Sequence, residues 1–512
     1  MLRREFLQRT ACGAAAWAAA FPSLGKSVAA GFQALEKSKT KPNILLIITD
    51  QQNATMMSCT GNRWVKTPNM DRLAAEGVRF ERAYCANPVC IPSRFSMFTG
   101  TMPSAIGMDA NEDEKNSVAP EILAHAMGTV FQAAGYRTVY AGKVHLPGQP
   151  GVLGNVQAYG FAERLAPKDP EGRAPTVQVC ADFLKAKHDK PFLLVASLIN
   201  PHDICYLPLR EWVQALPPSA QRSRMLAPPA LAEVDAALKI PAGVSAQEFY
   251  DKYCPPLPAN HAIPEQELTA FMATKRGSYL GWARQNYSEH QWRRYRWVYA
   301  RLTERVDAEI GQLLDALRAA GLDNNTVVVF TSDHGDQAGA HRVVTKDYLY
   351  EESTRVPFMV RWTGVTQAGR VDTEHFVASG LDLIPTLCDF AGVPAPAALK
   401  GCSVRPLAEG RAADDWRKYV VVENRLSRLV HSGRWKYMVG HADTITPKSL
   451  EEMAVQQPVR EMLIDLEKDP GEMTNLADDP ASRPQLEEGR RLLQAWYAAH
   501  KLKLDSAYIV KD

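Results

Sequence analysis

The run Asn43–Thr49, NILLIIT, is apolar and rich in β-branched residues, with no polar alternation. A strand with one wet face alternates; a strand without alternation is covered on both faces, as in the middle of a parallel sheet. Two more runs have this character, Phe192–Leu198 (FLLVASL) and Thr326–Phe330 (TVVVF). Each of the three stops at residues able to do chemistry: Asp50-Gln51-Gln52, Asn200-Pro201-His202, and Thr331-Ser332-Asp333-His334-Gly335. In open α/β sheets ligands bind outside the carboxyl ends of the strands. These runs therefore constrain the fold and the position of a site together.

Helical patterns lie between the strands. Thr67–Gly77 predicts a helix with Thr67 as N-cap, Pro68 in the first turn and Gly77 as terminator. Val78–Tyr84 reads as a strand, and Ser93–Thr99 as a short helix stopped by Gly100. Glu121–Ala134 reads as a helix ending at Gly135, followed by the strand Arg137–Ala141. A long amphipathic helix is expected over Trp292–Ala320, and a further strand over Pro357–Arg361. The alternation implies an α/β fold: a large mixed, mostly parallel sheet sandwiched by helices. Residues 206–290 are rich in proline and polar residues and weak in periodicity. They read as a long insertion near the active-site mouth, with some helix near 265–290. From about 415 the pattern becomes antiparallel, with a final helix near 482–500, so 415–512 is expected to form a smaller C-terminal α/β subdomain after a catalytic domain spanning 40–414.

At 512 residues the chain is too long for one ordinary core. A net charge of +2 gives no polyanion footprint, so a nucleic-acid partner is not expected. The start, MLRREFLQRT followed by a small-residue apolar stretch, reads as a twin-arginine export signal over 1–30. Cys12 precedes that stretch and is badly placed for lipid attachment. No later stretch is apolar enough to span a bilayer, so a periplasmic or secreted protein is expected. The nine cysteines are irregularly spaced and imply no disulfide framework.

Asp50 and Asp333 are distant in sequence, yet both end parallel strands. Either alone reads as a strand-end cap. Together, with the amide oxygen of Gln51, they read as a hard, oxygen-rich cation site suited to calcium or magnesium. Cys90 stands in NPVCIPSRFSMFTG, Asn87–Gly100. A disulfide half would not need Pro92 and Arg94 at fixed steps, and a zinc ligand would want a second Cys or His nearby.

Cys90-Ile91-Pro92-Ser93-Arg94, with Thr99-Gly100, matches the sulfatase signature Cys-x-Pro-Ser-Arg. The chain resembles type I sulfatases of the alkaline-phosphatase-like superfamily over nearly its whole mature length. Gly142-Lys143-Val144-His145, Asn200-Pro201-His202, Asp333-His334-Gly335 and Lys346 follow in the family's order, as do YEESTRVP at 350–357 and DLEKDPGEMTNLADDP at 465–480. The resemblance implies that a separate formylglycine-generating enzyme oxidises Cys90 to 3-oxoalanine (formylglycine). It implies a metal set of Asp50, Gln51, residue 90, Asp333 and His334, and a catalytic set of Cys90, Arg94, Lys143, His145, His202 and Lys346. In that scheme one hydroxyl of the hydrated aldehyde attacks sulfur and the other expels sulfate. Lys143, His202 and Lys346 spread positive charge over the sulfate, a protonated His202 or Lys346 assists the leaving alkoxide, His145 acts on the second hydroxyl, and Arg94 pairs with the carboxylates or the attacking hydroxyl.

Two positions depart from the common pattern: Gln51 stands where many members have Asp, and His334 where many have Asn. Calcium is expected, with manganese or magnesium as alternatives; the nitrogen donor of His334 is less natural for calcium and more tolerable for manganese. The Asp-Gln pair is also similar to phosphonate and phosphate diester hydrolases of the superfamily. The expected activity is hydrolysis of a sulfate ester, on a sulfated small molecule or glycan. The alternatives are a phosphonate or phosphate ester hydrolase on the same scaffold, or a non-catalytic sulfoglycan-binding relative.

Overall fold

The structure, a computed structural model, describes residues 41–112, 116–148, 155–165, 175–220, 226–271, 277–446, 448, 449, 451 and 457–510. The expected export signal lies outside the described residues. In chain order the strands are β1 (Asn43–Asp50), β2 (Val78–Phe80), β3 (Ala83–Tyr84), β4 (Arg137–Gly142), β5 (Glu163–Leu165), β6 (Phe192–Pro201), β7 (Thr326–Ser332), β8 (Phe358–Arg361), β9 (Arg370–Asp372), β10 (Val377–Ala378), β11 (Val420–Asn424), β12 (Ser427–Ser432), β13 (Trp435–Gly440) and β14 (Glu461–Asp465).

Eight of them form one sheet in the order β5-β4-β6-β1-β7-β8-β2-β9. β1 lies at its centre, parallel to β6 on one side and to β7 on the other, pairing Leu45 with Leu194 and Leu46 with Val329. All eight residues of β1 are buried, which is why its sequence shows no alternation. Ile44, Leu46 and Ile48 face one core, with Leu383 and Leu387 of helix Ser379–Ala391. Leu45 and Ile47 face the other, with Leu73, Leu184, Val306 and Ile310 of helices Pro68–Glu76, Pro175–Lys185 and Glu289–Ala319. The expected helix–sheet–helix sandwich is thus present. β8 runs antiparallel to β7 and β2, so the parallel half is β5-β4-β6-β1-β7.

Several element boundaries differ from the sequence reading. The strand expected over Val78–Tyr84 splits, because β2 pairs with β8 and β9 whereas β3 pairs with β10. Thr67 precedes its helix but does not cap it; its hydroxyl accepts from the Ser58 backbone N–H and approaches Asp71. The helix expected over Glu121–Ala134 divides into Pro120–Leu123 and Met127–Ala133, with Ala126 extended between them. Gly128 in the second piece is pressed onto Tyr159–Gly160, where a Cβ would meet backbone at 2.5 Å. The short helix begins at Cys90, three residues earlier than expected. Pro92 does not stop it, because first-turn N–H groups have no intrahelical partner and proline loses nothing there.

The 206–290 insertion is more ordered than its composition suggested. It carries helices Tyr206–Ala215, Pro228–Ala237 and Tyr279–Asn286. Leu207, Val234 and Phe249 pack with Trp292, Trp297 and Val298 of the long helix in a third apolar cluster. That helix opens with a capping box, the Ser288 hydroxyl and the Gln291 amide each bonding the other's backbone N–H.

β11–β14 make a four-stranded antiparallel sheet, covered by helix Arg483–Ala499 through Leu486, Leu493 and Trp496. Its core is continuous with one face of the large sheet: Val420, Leu429 and Met462 belong to the same apolar cluster as Ile44 and Leu349. A buried charge group fastens the two. Lys436 Nζ lies 2.6 Å from Glu472 Oε1 and 3.2 Å from Glu351 Oε1, which ties together the 350–357 and 465–480 stretches.

His431 on β12 sits beside this group, 3.8 Å from Glu351, with Nε2 donating to the Gly433 carbonyl. Burial first, then Lys436, holds its imidazole down at about 4, against the pull of Glu351. A lowered histidine favours the neutral form in the folded state, so the unfolded chain takes up the proton first, between the ordinary value of about 6.5 and 4. At about 1.4 kcal/mol per pKa unit, this site should remove about 3 kcal/mol of stability as pH falls through that window. Urea unfolding of the wild type and His431→Gln at pH 7.5 and 4.5 tests this. The acid-induced loss should be smaller in the variant; equal losses would contradict it.

Candidate functional site

The parallel strands β4, β6, β1 and β7 end side by side, and their carboxyl ends supply Lys143, His202, Asp50 and Asp333-His334. β4 can stop against β6 only because its last residue is Gly142, at φ +89, where a Cβ would lie 1.9 Å from the Ser197 carbonyl oxygen. Helix Cys90–Thr99 brings its first residue to this edge, and the Cys90 side chain is fully buried.

Cys90 Sγ is ringed by charge. It lies 2.9 Å from Lys346 Nζ, 3.3 Å from His334 Nε2, 3.7 Å from Lys143 Nζ and 3.8 Å from Asp50 Oδ1. His145 and His202 also act on the charge of the sulfur. Burial opposes a thiolate, but Lys143, Lys346 and His334 outweigh it and hold the thiol well below its ordinary range.

Arg94, one turn along the same helix, is fully buried and clamps two carboxylates. Nε donates to Asp333 Oδ2 at 2.8 Å and Nη2 to Asp50 Oδ2 at 3.1 Å, while Nη1 donates to Ser197 Oγ and the Lys143 carbonyl. Asp50 also pairs with Lys143 Nζ at 2.6 Å. Burial and Cys90 raise Asp50, yet Lys143, His202 and Arg94 keep it well below the carboxylate range. Asp333, with burial and the Asp50 charge against it, is pushed up to about 6.

Asp50, Cys90, Asp333 and His334 each offer a ligand atom, and these atoms all lie within 4.8 Å of one another. The donor chemistry fits a divalent cation. His334 Nδ1 lies 3.0 Å from the Gly335 carbonyl, a contact that uses its N–H and leaves Nε2 facing the carboxylates, the usual arrangement of a ligating imidazole. Gln51 Oε1 faces the same space, accepting from Lys346 Nζ at 2.8 Å and from the Cys205 thiol at 3.1 Å. All the residues singled out in the sequence, Asp50, Gln51, Cys90, Arg94, Lys143, His145, His202, Asp333, His334 and Lys346, therefore converge on one edge of the sheet.

Several of them hold strained backbones. Gln51 has φ +69 and His145 φ +44, and Lys346 lies between Thr345 at φ +62 and Asp347 at φ +79. Left-handed conformations are costly for such residues, above all for β-branched threonine, and cluster where a site dictates geometry.

The sequence reading did not single out Asp336, which is fully buried and accepts from Gln51 Nε2, the Tyr295 hydroxyl and the Ala338 N–H, each at 2.7 Å. Its signal was a second acidic residue in Asp333-His334-Gly335-Asp336. Cys205 and Ser197 were also missed. No helix among the described residues is long and apolar enough to cross a membrane.

The sulfatase family profile matches residues 42–393, and the profile described as N-sulphoglucosamine sulphohydrolase, C-terminal, matches residues 339–495. The chain is 28% identical over 507 residues to a Delta 4,5-hexuronate-2-O-sulfatase from Bacteroides thetaiotaomicron, covering 92% of this chain and 93% of the relative. It is 30% identical over 481 residues to an arylsulfatase from Clostridium perfringens, covering 88% and 94%. Among solved structures, a 2-O GAG sulfatase superposes with a TM-score of 0.71 at 27% identity, covering 91% of this chain and 95% of the other.

Proposed function

Since the chain belongs to the sulfatase family and is a sulfuric ester hydrolase, we propose that it removes sulfate from a sulfated carbohydrate, using 3-oxoalanine formed from Cys90 and one divalent cation. The substrate class follows the matched hexuronate sulfatase, and the Arg3-Arg4 leader supports twin-arginine export to the periplasm or beyond. The observation that carries the reading is the Cys90 side chain, placed at a helix N-terminus within 4 Å of two lysines, a histidine and a carboxylate.

As an aldehyde hydrate, residue 90 would present two hydroxyls: one to attack sulfur, the other to lose its proton, reform the carbonyl and release sulfate. Asp50, Gln51, Asp333 and His334 would hold the cation, which supplies Lewis-acid charge that acidifies the attacking hydroxyl and neutralises a sulfate oxygen. Calcium suits the oxygen donors, and the His334 nitrogen keeps manganese within reach. Lys143 and Lys346 flank position 90 and would bind the remaining sulfate oxygens.

Burial and then Lys143 push His202 to about 3, so it is neutral at working pH and serves as a hydrogen-bonding group. Lys346, whose Nζ lies 2.9 Å from the side chain at position 90, is placed to give a proton to the leaving alkoxide. His145 is pushed down by burial and by Lys143, leaving a neutral imidazole able to take the second hydroxyl's proton. Arg94 touches both carboxylates and keeps them aimed at the cation rather than at each other. Because position 90 has no exposed surface in the fold, its conversion by the maturation enzyme belongs before folding is complete.

Rates on an aryl sulfate, a 2-O-sulfated unsaturated hexuronate and an aryl phosphonate, each before and after chelation, test the proposal. Sulfate esters should be turned over fastest. Chelation should cost at least about 100-fold, several kcal/mol of lost charge stabilisation, and added calcium or manganese should restore the rate. A dominant phosphonate rate, or activity indifferent to chelation, would overturn it.

A further inference from the structure

Gln51 is an unusual group to place at a cation site, because a free amide presents either its oxygen or its NH2. The orientation here is not left open. Gln51 Nε2 donates to Asp336 Oδ2 at 2.7 Å, and Gln51 Oε1 is thereby turned toward Lys346 Nζ and the Cys90 side. Asp336 is itself fixed. Its Oδ1 accepts from the Ala338 N–H, and its Oδ2 accepts from the Tyr295 hydroxyl, which in turn accepts from the Thr345 N–H. The Gln51 backbone is pinned as well: the Tyr299 hydroxyl donates to its carbonyl at 2.7 Å, and Asn53 Nδ2 reaches the Asp336 carbonyl at 3.0 Å.

Charge supplies a second argument. Asp50 and Asp333 are already shared with Lys143 and Arg94, and Lys346 stands beside Gln51. Adding a divalent cation to that ring leaves positive charge in excess. Asp336 is a third buried carboxylate, one hydrogen bond away from the cation site, and it polarises the Gln51 amide so that its oxygen is the more negative end.

We propose that Asp336 is a positioning residue for the cation: it locks Gln51 with Oε1 as a ligand and supplies, through that amide, negative charge the direct ligands lack. This rests on the cation reading of the site given above. Replacing Asp336 by the isosteric asparagine removes both functions. With the new carbonyl on the Ala338 N–H, the asparagine side chain turns an NH2 toward Gln51 and favours the flipped amide, which points a donor at the cation. With the new carbonyl on Gln51 instead, the asparagine NH2 opposes the Ala338 N–H. The double variant Q51E/D336N moves the charge one residue inward without changing shape: the introduced amide donates to one oxygen of the introduced carboxylate, and the other oxygen faces the cation.

Calorimetric titration of the purified full chain with calcium and with manganese tests this independently of turnover. D336N should bind about 10- to 100-fold more weakly, the usual cost of losing a partner that orients a ligand, and Q51E/D336N should recover most of that loss. The cation-free urea midpoints of wild type and D336N should lie closer together than their cation-loaded midpoints. Wild-type affinity in D336N, no recovery in the double variant, or equal midpoint shifts with and without cation would overturn the proposal while leaving the sulfatase reading intact. A wild-type chain that takes up neither cation would overturn both.

Discussion

Cys90→Ala should abolish sulfate release, lowering kcat/KM by about 10^5-fold or more, the scale of removing a covalent nucleophile whose partners work as a unit. The loss follows from the geometry. Lys143, Lys346, His334 and Asp50 all converge on the side chain at position 90, so truncating it removes the group they are arranged around. Alanine leaves the helix start unchanged, and the folded protein should survive with Asp50, Gln51, Asp333 and His334 still in place for the cation. The readout is sulfate released from an aryl sulfate, with calcium titration confirming that the rest of the site is intact. Activity within tenfold of the wild type would mean that residue 90 is not the attacking group.

Arg94→Met should damage the fold itself. Arg94 is fully buried, and its fork separates two carboxylates that are also fully buried. Methionine fills similar space but leaves Asp333 with only the His334 imidazole, 3.7 Å away, and takes from Asp50 its guanidinium partner, leaving Lys143 as its close cation. Removing one member of a buried charge group costs about 3–5 kcal/mol, because the remaining charge stays desolvated and unpaired. The urea midpoint should fall accordingly, and calcium should restore part of it by replacing the lost positive charge between the carboxylates. An unchanged midpoint in the absence of cation would show that the pair is not ionised there. Arg94→Lys should recover some stability but little activity, since one ammonium cannot span both carboxylates as the guanidinium does.

Much of this arrangement was legible in the chain. The uninterrupted apolar run of β1 announced burial on both faces, and the residues stopping β1, β6 and β7 marked the edge at which the candidate residues gather. Strand ends are readable because alternation, or its lack, is a property of neighbours in sequence. The Cys90 helix starts three residues before the expected Ser93, because a first-turn proline such as Pro92 gives up no hydrogen bond and leaves no mark of the helix start. Within 206–290 a helix was expected only near 265–290, where Tyr279–Asn286 lies; Tyr206–Ala215 and Pro228–Ala237 went unseen because they are short and the region anchors through scattered residues such as Leu207, Val234 and Phe249 rather than a sustained stripe. Asp336 and Cys205 were invisible for a different reason. What each does depends on the side-chain direction of Gln51, and no spacing rule reports which way an amide is turned. The strained φ at Gln51, Thr345 and Asp347 likewise has no sequence signature without glycine to mark it.

The most direct test is the mass of the peptide carrying residue 90, taken from protein made in a host that can mature it and shown to be active. Exchange of sulfur for oxygen with loss of two hydrogens makes that peptide about 18 Da lighter than the cysteine form, and the lighter species should rise in proportion to specific activity across preparations. Fully active protein whose peptide retains the cysteine mass would contradict the proposed chemistry at its centre.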